Sequence, residues 1–140
     1  MLAMDTGHND CNPITVASNM TSLNPKELTW LLDKIKAAGA RKTILLSHHQ
    51  LFSAFGAVGQ LDGRAYAYNP YLYKDFRTVL DQLAWWFWGH EHNLALYEPY
   101  MGLKRGRCVG CSAVPVFQNQ QSYTLDWTLV TFEPGQSLSG

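Results

Sequence analysis

The run Leu83-Ala84-Trp85-Trp86-Phe87-Trp88 is apolar at every position. A strand that alternates apolar with polar residues can leave one face in water. This one sends apolar side chains to both faces, so it belongs inside a sheet that needs a layer on each side. The aromatic series then reads as core rather than as a cofactor-contacting patch. Thr43-Ile44-Leu45-Leu46-Ser47 is a second buried strand of the same kind. Each run ends in imidazoles, with His48-His49 after the first and Gly89-His90-Glu91-His92 after the second. Loops at strand ends are where α/β folds place their chemistry. Imidazole is a common ligand for zinc, iron and similar ions, and His90 and His92, at i and i+2 on extended backbone, project from one face. A pocket converging from both strand ends can hold metal.

The remaining pattern supports an α/β class. Asn24 as cap, Pro25 in the first turn and Glu27 behind it predict a helix, with Leu28, Leu31, Leu32 and Ile35 on one stripe and Gly39 as terminator. A second helix is expected after Asn69-Pro70, carrying Leu72, Phe76, Val79, Leu80 and Leu83 inward. Between them, Gln50 to Asn69 reads as a long surface loop, with Arg64, Tyr66 and Tyr68 as candidate ligand contacts. Leu2-Ala3-Met4 reads as the end of a strand, followed by turn formers from Asp5 to Asp10. Leu94 to Tyr97, Arg107 to Gly110 and Tyr123 to Phe132 read as further strands. Residues 1–134 form the expected domain and 135–140 a polar tail.

Composition narrows the function classes. Eleven Lys and Arg balance eleven Asp and Glu, so the overall charge does not favour a nucleic-acid partner. The longest apolar run is far short of the roughly 20 residues of a membrane span. No secretory signal precedes Lys26, the first basic residue, so the expectation is either a cytoplasmic protein or a chain whose true beginning is missing. Three cysteines, Cys11, Cys108 and Cys111, make an odd count that argues against a closed disulfide framework.

The segments Ile44-Leu45-Leu46-Ser47-His48-His49 and Gly89-His90-Glu91-His92 together resemble the carboxy-terminal half of the calcineurin-like metallophosphoesterases. Asp5-Thr6-Gly7 and Arg107-Cys108-Val109-Gly110 are similar to that superfamily too. The resemblance implies a partial αββα sandwich with mixed sheets and two main helices, lacking its amino-terminal half. It implies a dinuclear centre of iron, zinc or manganese and hydrolysis of a phosphate ester by metal-activated hydroxide, with cations about 3.5–4 Å apart. Carried over by motif, His48 and His90 ligate one metal and His92 the other. His49, the neighbour of His48 on extended backbone, is expected to point the opposite way.

The superfamily's Asp-x-His, Gly-Asp-x-x-Asp and Gly-Asn-His motifs are not in this sequence. They supply the bridging carboxylate and the proposed proton donor, so no catalytic residue is assigned and the chain alone is expected to be inactive. Gly7-His8-Asn9-Asp10 inverts the order of His and Asn in the missing motif, which makes His8 a weak candidate. The expectation is a missing amino-terminal half, a partner chain or a homo-oligomer. A non-catalytic metal-binding or protein-interaction module on the same scaffold is the alternative.

Simpler readings compete at each motif. The imidazoles of His90 and His92 can serve a tight polar turn, and the pair His48-His49 can be one buried and one wet residue. Glu91 reads as solvent-facing. Cys108-Val109-Gly110-Cys111 has the spacing of a zinc knuckle, but no second pair accompanies it and coincidence is favoured.

Overall fold

A computed structural model describes residues 1–9 and 20–112. Among these residues the chain is a mixed α/β structure with two α-helices and a mixed sheet. Helix α1 (Pro25–Ala38) starts where local chemistry dictates: the Asn24 side chain accepts the Lys26 N–H at 2.9 Å, Pro25 fills the first turn, and Glu27 complements the positive end of the dipole. Helix α2 (Pro70–Phe76) repeats the device, with Asn69 Oδ1 accepting from the N–H groups of Tyr71 at 2.9 Å and Leu72 at 3.1 Å. It is shorter than the apolar stripe predicts. The β-branched pair Thr78 and Val79 follows, and a 3-10 turn (Leu80–Gln82) delivers Leu80 and Leu83 to the core instead.

Seven strands are present among the described residues: β1 (Leu2–Ala3), β2 (Thr43–Ser47), β3 (Gly59–Leu61), β4 (Arg64–Tyr66), β5 (Leu83–Trp88), β6 (Leu94–Leu96) and β7 (Gly106–Val109). The main sheet has the order β1-β2-β5-β7-β6; the pairs β1–β2, β2–β5 and β5–β7 are parallel, and only β6 runs antiparallel to its neighbour β7. The expected loop from Gln50 to Asn69 instead contains the hairpin β3–β4. Asp62 and Gly63, both at positive φ, form its two-residue turn. The loop is also anchored rather than superficial, since Leu51, Phe52 and Ser53 are buried.

Register sorts the sheet into two unlike faces. Leu45 pairs with Trp86 and Trp88 with Cys108, so these four share a face, and all four are buried. They join one core cluster with Leu31 and Ile35 of α1 and Leu72 and Phe76 of α2, with Phe76 edge-on to Trp86 at 5.2 Å. Truncating Trp86 there would cost about 3–5 kcal/mol. The opposite face carries Ile44, Leu46, Trp85 and Phe87, none fully buried, and runs on to Leu94, Leu96 and Val109, which are exposed. Arg105 and Arg107 lie over the Trp85 ring at 4.9 and 5.1 Å from its centroid. The strand that reads as covered on both sides is therefore fully covered on one.

Among the described residues, no helix is long and apolar enough to cross a membrane. The strand expected from Tyr123 to Phe132 and the tail 135–140 lie outside the described residues.

Candidate metal centre

Because β1, β2, β5 and β7 run parallel, their carboxy ends lie along one edge of the sheet. Thr6 follows β1, His48 and His49 follow β2, and His90 follows β5. The Gly89 N–H donates to the His48 carbonyl at 3.0 Å, carrying the ladder one step beyond the strands and holding the two loops side by side. His90 then takes φ 61°, the left-handed region that a side chain of this size rarely adopts. Its Nδ1 stands 3.0 Å from His48 Nε2.

His49 joins them. Its ring centroid is 4.8 Å from that of His48 and 4.6 Å from that of His90. One ligand nitrogen from each of the three residues lies within 4.8 Å of the others. Nitrogens bound to one tetrahedral ion at about 2.1 Å stand about 3.4 Å apart, so the widest pair must close by up to about 1.4 Å to share an ion. This group can hold a metal ion. The expectation that His49 points away assumed extended backbone, but the chain bends at residues 48 and 49, where strict alternation ends.

His92 is exposed and stands outside the group of three. It lies in a tight turn in which Glu91 N–H donates to Gly89 O and Asn93 N–H to Glu91 O, both at 2.7 Å. His8 is likewise exposed, at a turn where Asp5 Oδ1 accepts its N–H at 3.1 Å. Of the sequence-derived ligands, the structure brings His48 and His90 together, and His92 is not one of the group of three.

The residues that support the group reach it through contacts far apart in sequence. Thr6 is fully buried, and its Oγ1 accepts the His49 main-chain N–H at 3.0 Å and lies 3.0 Å from His49 Nδ1. Ser53 donates to Glu91 Oε1 while accepting the Phe55 N–H at 2.9 Å. Glu91 is thus not solvent-facing. Burial pushes its carboxyl up to about 7, with the Ser53 hydrogen bond pulling the other way.

The Cys108 thiol lies 3.4 Å from Glu91 O and 3.3 Å from Asn93 O, and burial pushes it up to about 11, so it remains a neutral donor pinning this turn. Cys111 is exposed and free. Gly110 closes the same turn: a Cβ there would lie 1.9 Å from the Glu91 carbonyl oxygen. Tyr66 and Tyr68 pack edge-on at 5.7 Å, and Tyr68 meets Tyr73 of α2 at 5.6 Å.

The donor set decides which ions suit the group. Three neutral imidazoles without a carboxylate favour zinc, cobalt, nickel or copper over magnesium or calcium, which prefer oxygen. Comparison of the chain with family profiles finds no match. A search of characterised proteins finds no match either.

Proposed function

We propose that this chain is the histidine-bearing half of a metal-dependent phosphoesterase with a calcineurin-like fold. The observation that carries the reading is the 3.0 Å approach of His48 Nε2 and His90 Nδ1, each just past the carboxy end of a parallel strand. The motifs holding them are the ones that resemble that superfamily. The half-covered sheet supports the finer architecture, a partial αββα sandwich whose second sheet would lie over Ile44, Trp85 and Phe87. In this reading His48 and His90 hold one ion of an iron, zinc or manganese pair and His92 the other.

When bound, the metal supplies Lewis acidity toward a phosphoryl oxygen and a hydroxide at neutral pH. The chain's own contribution is placement: the parallel register fixes the two loop tips, and Cys108 and Gly110 hold the turn that presents His90. Among the described residues no carboxylate joins the histidine group. Two cations need an anion between them, so the chain alone is inactive in this proposal. It awaits carboxylates from an amino-terminal half, a partner chain or a second copy.

A second reading, a non-catalytic metal-binding module, is favoured by the all-imidazole donor set. The test loads the full chain with zinc, manganese or iron and measures binding, release of nitrophenol from a phosphate ester, and binding of inorganic phosphate. The phosphoesterase reading expects metal uptake lost in His48→Ala and His90→Ala, phosphate bound only by the loaded chain, and no turnover. Uptake without phosphate binding would favour the module. No uptake of any of the three metals would remove both.

A further inference from the structure

We infer that Thr6 is a positioning residue that makes His49 a third nitrogen donor, so that one ion is held by His48, His49 and His90. The inference rests on the reading of the histidine group as a metal centre.

One oxygen grips His49 at two points. Thr6 Oγ1 accepts the His49 main-chain N–H at 3.0 Å and lies 3.0 Å from ring Nδ1, which fixes both the backbone and the rotation of the imidazole. Thr6 is itself held. It is fully buried, its carbonyl accepts the Thr21 hydroxyl, and the Met4 N–H donates to Leu46 O at 2.9 Å to tie this segment to β2.

A threonine oxygen has two acceptor lone pairs. The His49 main-chain N–H and an Nδ1–H can fill them both. That tautomer leaves the lone pair on Nε2, the atom an ion would bind. In the other tautomer the threonine donates to Nδ1, the proton sits on Nε2, and no lone pair faces an ion. Metal binding therefore selects the first arrangement, and Thr6 is the partner that stabilises it. The residue follows β1 while the ligands follow β2 and β5, so the loops after three adjacent strands build one centre.

The test uses the full chain and compares Thr6→Val, which keeps shape without the hydroxyl, with Thr6→Ser, which keeps the hydroxyl. Zinc affinity is read by competition with a chromophoric chelator, and the ligand field by the visible band of bound cobalt. Thr6→Val and His49→Ala should each weaken zinc by about 10–100-fold, the range for loss of an orienting partner. Thr6→Ser should stay within about threefold, and Thr6→Val combined with His49→Ala should be no worse than His49→Ala alone. Both Thr6→Val and His49→Ala should alter the cobalt band.

Unchanged zinc affinity in Thr6→Val and His49→Ala, with loss in His48→Ala and His90→Ala, overturns this inference and leaves the metal centre standing. Failure of the unaltered chain to take up zinc removes both. Should Thr6→Val not fold, nitrogen NMR of the zinc-loaded unaltered chain decides. A protonated Nδ1 with zinc on Nε2 of His49 is expected, and a His49 ring without zinc overturns the proposal.

Discussion

His90 Nδ1 lies 3.0 Å from His48 Nε2 although 42 residues separate the two in sequence. At that distance one nitrogen must carry a proton toward the other, and a cation takes the proton's place. Alanine at either position should therefore lower zinc affinity by about a hundredfold, roughly 3 kcal/mol. His92→Ala should change the first zinc equivalent by less than about threefold, since His92 stands outside the group. Chelator competition measures all three. A loss on His92→Ala as large as that on His48→Ala would mean that the first ion is held by other ligands.

Glu91 makes the metal-free chain sensitive to pH in a defined direction. Burial raises its carboxyl from 4.5 to about 7, so the folded chain holds this proton more tightly than the unfolded one. The stabilisation is complete below about 4.5 and is lost as pH rises through about 7. Relative to Glu91→Gln, the unaltered chain should lose about 3 kcal/mol between pH 4.5 and pH 8. Urea denaturation in the presence of a chelator measures the difference. A flat difference, or one that grows with pH, would place Glu91 in water after all.

Gly110 tests how firmly the His90 turn is clamped. An added methyl would meet the Glu91 carbonyl oxygen at 1.9 Å, and that atom is main chain, so it cannot swing aside. Gly110→Ala should cost about 3 kcal/mol in urea denaturation and weaken zinc binding through displacement of His90. Gly56→Ala is the control, because no atom lies within 4 Å of a Cβ at that position; its effect should stay within about 0.5 kcal/mol. Equal effects at the two glycines would contradict the close approach.

The elements legible in the sequence are those whose cause is local. Asn24, Pro25 and Glu27 encode the start of α1 within four residues, and the apolar runs of β2 and β5 declare burial by composition alone. The convergence of His48 and His90 was also legible, because both motifs follow strands that read as buried neighbours. The hairpin was not: Gly59-Gln60-Leu61 and Arg64-Ala65-Tyr66 are too short and too polar to show alternation, even with Asp62-Gly63 between them. His49 escaped because alternation was carried one step past the strand. Glu91 escaped because its partner Ser53 is 38 residues away, and a contact across that separation leaves no local pattern.

The two described cysteines should behave as differently as their surroundings. Cys108 is buried, its thiol is pushed up to about 11, and its sulfur faces the carbonyl oxygens that shape the His90 turn. Cys111 is exposed three residues later. The thiolate is the reactive form, so alkylation near pH 8 should modify Cys111 at least about a hundredfold faster than Cys108. Peptide mass mapping separates the two from Cys11. Adding urea should abolish the protection of Cys108 in step with unfolding, because burial is its cause. Rapid labelling of Cys108 in the native chain would mean that the turn opens and that His90 is not held where the metal centre requires it.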